Sequence, residues 1–152
     1  MSILEQESFI SSIHPFESLT VNQLELFVEN IDIIYFKENE IVQKQNCEPT
    51  HLYFILKGLI QEKQEDEVLS LYSKNEIFDS ISLIENYSKN TFITAEETIC
   101  YILPRDIFIK TLHENSTLKN YFFQSISEKI SNKIKYENNK EIAKMKIAKK
   151  KN

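Results

Sequence analysis

His14, His51 and His113, with Cys47 and Cys100, are the side chains of this chain best suited by type to catalysis or metal binding. Their spacing suits neither. No two histidines lie at ligand distance along the chain, and no Cys-x-x-Cys accompanies the cysteines. Without a His/Glu cluster, a metal-dependent enzyme on a jelly-roll scaffold lacks its ligands. The histidines read as surface or helix-cap residues and the cysteines as two reduced thiols of a cytosolic protein. No catalytic residue and no metal site is expected. What remains is binding chemistry.

The elements that must position these groups can be read from periodicity. Ile3, Leu4, Phe9, Ile10 and Ile13 fit a short amphipathic helix that ends at His14-Pro15. Thr20-Val21-Asn22-Gln23 has the pattern of a capping box, and Leu24, Phe27, Val28 and Ile31 follow at helical spacing, predicting a helix from Val21 to Asn30. From Asp32 the pattern shifts to short apolar runs: 33–36, 41–42, 52–56, 59–60, 68–72, 77–78, 91–95 and 98–103. Seven or eight short strands at this spacing predict a sandwich, jelly roll or barrel. Ser82 to Ile84 has room for one helical turn. Helical pattern returns at Arg105 to Asn115. A longer helix starts near Ser116, with Leu118, Phe122, Ile126, Ile130 and Ile134 every four residues.

The run His51 to Gln61 is central. Leu52 to Leu56 is rich in strand formers, and Gly58 is the only glycine in the 152 residues. A chain that otherwise avoids glycine uses this one where φ must be positive. The expectation is a tight hairpin turn between two core strands.

Charge divides the chain. Residues 1–134 hold 11 Lys+Arg against 21 Asp+Glu, a net of −10, and residues 135–152 hold 7 Lys against 2 Glu, a net of +5. An acidic body does not suit non-specific nucleic-acid binding. The chain is expected to form one domain over 1–134, followed by a basic polar linker or tail over 135–152. No run of about 18 apolar residues is present to span a membrane, and the acidic N-terminus does not resemble a signal peptide. A cytoplasmic location is expected.

The order of elements and several motifs resemble the cyclic-nucleotide-binding domain family, the β-roll of catabolite-activator-type regulators and of cyclic-nucleotide-gated kinases and channels. The resemblance covers about residues 5–134. It is carried by Phe36 to Val42, Leu52 to Gly58, Ile77-Phe78, Thr94-Ala95, and Leu103-Pro104-Arg105 to Phe108. It implies a mainly β fold: a β-roll of the double-stranded β-helix or jelly-roll type, with two N-terminal helices and one short and one long C-terminal helix. The start Phe9-Ile10 to Phe16 and the Phe122-Phe123 helix are similar to the N-terminal sensor of bacterial proteins that join this module to a CBS pair and a nucleotidyltransferase-like domain. That likeness implies a regulatory, non-enzymatic signalling module whose partners are C-terminal domains of a longer protein. The alternative is the ligand-binding domain of a catabolite-activator-type transcription regulator, which needs a helix-turn-helix beyond the long helix.

In this family the nucleotide is held by a cassette resembling Phe-Gly-Glu, a helical turn, then Arg. Glycine admits backbone N–H groups to the sugar-phosphate, glutamate accepts from the ribose hydroxyl, and arginine grips the phosphate with two parallel hydrogen bonds. The resemblance places Phe78, Asp79, Ser80, Lys89, Asn90 and Thr91 here. Asp79 stands for the glycine, Ser80 for the glutamate and Lys89 for the arginine. Asp79 adds charge facing an anion, and Lys89 lacks the planar fork. Either the pocket holds an anion through Lys89 and Ser80, or the cassette is kept for packing; the second is favoured, so cyclic nucleotide is disfavoured as a ligand and no other cofactor is expected. The family also implies a homodimer along the long helix, through Phe122, Ile126, Ile130 and Ile134.

Overall fold

The computed structural model describes residues 2–124, 126–128 and 142. The chain divides into two compact units, Met1–Lys119 and Asn120–Asn152. In the first unit α1 (Ile3–Ser11) and a 3-10 turn (Phe16–Ser18) precede α2 (Val21–Asn30). Both α-helices start on a side-chain cap. Ser2 accepts from Glu5 N–H at α1, and at α2 the Thr20 and Gln23 side chains satisfy each other's backbone N–H, the capping box in full. Seven strands follow among the described residues: β1 (Asp32–Phe36), β2 (Ile41–Gln43), β3 (His51–Lys57), β4 (Ile60–Gln64), β5 (Glu67–Tyr72), β6 (Thr91–Thr94) and β7 (Thr98–Pro104). A six-residue helix, α3 (Ser80–Glu85), interrupts them before β6, and α4 (Arg105–Glu114) follows β7.

All pairings are antiparallel, in two sheets ordered β1-β7-β3 and β2-β6-β4-β5. This is the β-roll of the cyclic-nucleotide-binding type. Phe36, Ile55 and Cys100 from one sheet meet Ile60 and Phe92 from the other, with Phe78 between. Alternate residues of β3 and β7 point the other way. Phe54 lies 5.3 Å from Phe16 by ring centroid, and Tyr101 lies 5.7 Å from Phe9. Burial on both faces explains why β3 reads as a near-continuous apolar run rather than an alternating one.

Two sequence expectations change. Ile77-Phe78 forms no strand, only a single bridge from Ile77 to Phe54. Gly58 has the expected positive φ, +115°, but makes no hairpin. β3 pairs with β7 and β4 with β5 and β6, so the turn carries the chain from one sheet to the other. The physical reason is crowding as well as dihedral angle. A Cβ on Gly58 would overlap Thr98 Oγ1 and come within 2.6 Å of the Glu97 carbonyl oxygen, so the corner is pressed against the start of β7.

The other left-handed positions are filled differently. Of the six non-glycine residues with positive φ among the described residues, four are asparagines: Asn39, Asn46, Asn75 and Asn86. Asparagine tolerates this region better than most residues. The chain uses it where others would use glycine.

The candidate interface falls partly outside the described residues. Residues 116–124 and 126–128 are helical. Leu118 and Phe122 are buried, Ile126 is half-buried and Phe123 is exposed. Ile130, Ile134 and the tail 135–152, apart from Ile142, lie outside the described residues. Cys47 is exposed and Cys100 buried, both as free thiols. No described helix is long and apolar enough to cross a membrane.

Candidate functional site

The cassette begins on an aromatic anchor. Phe78 is buried between Tyr53, stacked at 5.2 Å, and Phe92, stacked at 4.7 Å. Its role is packing, and it fixes where the next residue starts. Asp79 then turns left-handed, at φ 54° and ψ 41°. The position that resembles the family's glycine thus has a left-handed backbone conformation of the kind glycine adopts readily, and carries a side chain. A short polar side chain makes this possible at modest cost, of order 1 kcal/mol.

That side chain lies in a chain of hydrogen bonds assembled from five separate segments. Gln43, buried at the end of β2, donates through Nε2 to Asp79 Oδ2 at 2.7 Å and to Ser88 Oγ at 3.1 Å. Ser88, fully buried, donates in turn to the carbonyl oxygen of Asn90 at 2.8 Å. Asn90 Nδ2 donates to Glu62 Oε2 at 2.7 Å, and Tyr72 OH donates to Glu62 Oε1 at 2.9 Å. Burial pushes the Asp79 carboxyl up to about 6; the nearby Glu62 charge adds to this, against hydrogen bonds from Ser82 and Gln43 that pull it down. Burial, and after it Glu62, also push the Tyr72 phenol well above its usual range.

Lys89 does not enter this cluster. Its side chain is 67% exposed and, among the described residues, lies 4.0 Å from Glu85. Ser80 opens α3 and is half-buried. Thr91 takes a backbone role, its hydroxyl accepting from Gln45 N–H at 3.2 Å. Of the six cassette residues named from the sequence, the structure thus brings Asp79 and Asn90 into one network, turns Phe78 into core, and leaves Lys89 at the surface.

The chain's single arginine lies elsewhere. Arg105, at the start of α4, donates from Nε to the Leu83 carbonyl at 2.6 Å and from its terminal nitrogen to the Ile84 carbonyl at 3.4 Å. It clamps the C-terminal end of α3, where carbonyls lack helical partners. Sequence reasoning missed Gln43, Glu62, Tyr72, Ser88 and Arg105 as site residues. One signal was present: strand alternation puts Glu62 on the same face as the buried Ile60.

The site's inner groups comprise two carboxylates and neutral amides and hydroxyls, with no cation among the described residues that meet Asp79. Among the described residues, no group of three His, Cys, Asp or Glu side chains could hold a metal ion.

Comparison with known proteins agrees with the fold. The sequence pattern of the cyclic nucleotide-binding domain family matches residues 33–115. Among solved structures, the chain is similar to the sensor domain of the transcriptional regulator DNR from Pseudomonas aeruginosa, with TM-score 0.73 and 15% identity over 81% of this chain and 91% of that one. It is also similar to the regulatory domain of Toxoplasma gondii PKA crystallised with cAMP (TM-score 0.66, 16% identity, 72% of this chain and 44% of that one). A third is the regulatory subunit of a cAMP-independent protein kinase A from Trypanosoma brucei, a mutant bound to cAMP (TM-score 0.65, 15% identity, 81% and 52%). At these identities the likeness is one of fold. The chain spans about half the length of the two kinase structures. No curated protein sequence matches it.

Proposed function

The chain belongs to the cyclic nucleotide-binding domain family, and from that membership we propose that it is a regulatory, non-enzymatic sensor module whose cassette no longer takes cyclic AMP or cyclic GMP. The observation that carries the reading is the Asp79 carboxylate, held by Gln43 beside Glu62 where the family resemblance places the nucleotide's phosphate contacts. An anion entering there meets two carboxylates, and the cation at the arginine's place faces solvent. Removing the charge pair's water for a repulsive contact is unfavourable at any plausible interior dielectric.

The module acts through other domains. The likeness in sequence to the sensors that precede CBS pairs and nucleotidyltransferase-like domains supports coupling to domains C-terminal to this chain, in the cytoplasm, as a homodimer through Phe122, Ile126, Ile130 and Ile134. The likeness in fold to a transcriptional regulator's sensor domain supports a second reading, as the ligand-binding part of such a regulator. A helix-turn-helix in the full-length protein would decide for the second.

Calorimetry with cyclic AMP and cyclic GMP tests the central claim. The expected outcome is no binding heat at 100 μM ligand, on the order of −5.5 kcal/mol or weaker. A dissociation constant at or below about 10 μM, near −7 kcal/mol, would overturn it. The triple change Asp79→Gly, Ser80→Glu and Lys89→Arg should move the chain toward binding.

A further inference from the structure

We infer that the groove between α1 and α2 is a docking site for the lysine-rich segment 135–152 of a second copy of this chain. The inference concerns a surface other than the cassette and does not rest on the nucleotide reading.

Charge sets the two N-terminal helices apart. Residues 1–36 hold six carboxylates, Glu5, Glu7, Glu17, Glu25, Glu29 and Asp32, and no Lys or Arg. Over residues 37–119 the signs are mixed, with 14 Asp+Glu against 9 Lys+Arg. Exposed apolar side chains gather on the same helices. Leu4, Val21 and Ile3 are, in that order, the most exposed large hydrophobics among the described residues, and each lies in the first turn of α1 or α2.

The groove is where the two features meet. Its volume is about 320 Å³, and each helix supplies three residues at i, i+3 and i+4: Ile3, Gln6 and Glu7 from α1, and Glu25, Val28 and Glu29 from α2. That spacing puts each triplet on one helix face. Ile3 and Val28 make an apolar strip, and a carboxylate stands on either helix beside it. Glu7, Glu25 and Glu29 form no ion pair among the described residues. A lysine suits such a surface, because its methylene stem covers apolar area while its ammonium reaches a carboxylate.

The chain carries a segment of complementary composition. Residues 135–152 hold seven lysines and two glutamates, with Ile142, Met145 and Ile147 among them. Ile142, the described residue of that segment, is exposed. The segment's net +5 stands against −10 for residues 1–134. Two copies that approach as acidic bodies repel each other. A basic segment of one, laid in the carboxylate-lined groove of the other, removes part of that repulsion and covers Ile3. Exposed ion pairs alone contribute little. The apolar strip is what selects this groove over other acidic surface, such as the β4–β5 turn at Glu65, Asp66 and Glu67.

A synthetic peptide of residues 135–152, titrated into the isotope-labelled full chain at about 50 mM salt and followed by backbone amide shifts, tests the site. The expected shifts are concentrated in 3–7 and 21–30 and fade at about 500 mM salt. Glu25→Gln with Glu29→Gln should weaken binding about fivefold. Ile3→Ser changes no charge and, at an exposed position, leaves the core intact; it should also weaken binding several-fold. Shifts of equal size in the β4–β5 turn, or binding unchanged by Ile3→Ser, would mean attraction to the acidic body in general and would overturn the groove. Carbodiimide coupling then identifies the donor chain, in an equal mixture of labelled and unlabelled full chain refolded together from urea. Lysines of 135–152 joined to Glu7, Glu25 or Glu29 should appear in mixed-isotope pairs in near half of such cross-links. A peptide that causes no shift, or cross-links confined to pairs within one chain, would overturn docking by a second copy. None of these outcomes bears on the calorimetry with cyclic nucleotides, so the two readings stand or fall separately.

Discussion

Replacing Gly58 by alanine examines the corner between the two sheets, and the structure sets how much that should cost. Two effects add. The first is backbone strain: φ of +115° lies where a Cβ is disfavoured, at about 1–3 kcal/mol. The second is steric. The new methyl would overlap Thr98 Oγ1 and approach the Glu97 carbonyl oxygen and Thr98 Cα at 2.6 Å each. Thr98 cannot swing away cheaply, because it is fully buried and its hydroxyl donates to Glu96 O at 2.9 Å while accepting from Leu59 N–H at 3.3 Å. Overpacking of this kind costs about 1–3 kcal/mol. Against these stands the lower entropy of the unfolded alanine chain, about 0.4–1 kcal/mol in favour of the variant. The net expectation is a loss of about 1–5.5 kcal/mol, a large part of the stability of a domain this size. Urea unfolding followed by far-UV circular dichroism measures it. Combining Gly58→Ala with Thr98→Ala should show favourable coupling in a double-mutant cycle, yet only partial recovery, because the Glu97 carbonyl remains in the way. A loss below about 1 kcal/mol, the average for any substitution, would refute the assignment of Gly58 to a crowded sheet-to-sheet corner.

Three other outcomes are expected. Asp79 has a raised carboxyl pKa in the fold, so its contribution to stability is full below about 3.8 and is lost as pH rises through about 6; Asp79→Asn should therefore match the wild type at pH 4 and exceed it at pH 7.5 by up to ~3 kcal/mol, and equal urea midpoints at pH 7.5 would contradict this. Arg105→Met removes two hydrogen bonds from a charged donor to the end of α3 and should lower stability by about 1.5–3 kcal/mol, with a larger loss of exchange protection in 80–85 than in β4; uniform loss would argue against a local clamp. Ile126→Glu with Ile130→Glu should give a folded monomer by light scattering, and a wild type already monomeric at high micromolar concentration would show that the stripe serves the chain alone.

Residue order was enough for everything that depends on neighbours within a turn or two. Thr20 and Gln23 predicted the start of α2 because a capping box is satisfied by side chains three residues apart. The apolar runs of β3 and β7 predicted core strands because burial on both faces removes polar residues from a whole segment. Gly58 predicted a positive φ because few residues adopt one. Motif order predicted the β-roll. Two matters depended on which distant segments meet, and there the sequence was silent or misleading. The turn at Gly58 looked like a hairpin because local chemistry reports only that the chain reverses; partner choice is settled by β7, more than 40 residues on, pairing with β3. The cassette looked like a depleted anion site because Lys89 occupies the arginine's place in the order of residues. The fold turns that lysine to solvent and brings in Gln43, 36 residues before Asp79, together with Glu62 from a strand between them. A carboxylate's environment is the sum of groups within a few ångströms, and burial sets how strongly each acts. Those distances exist only once the two sheets have closed on each other.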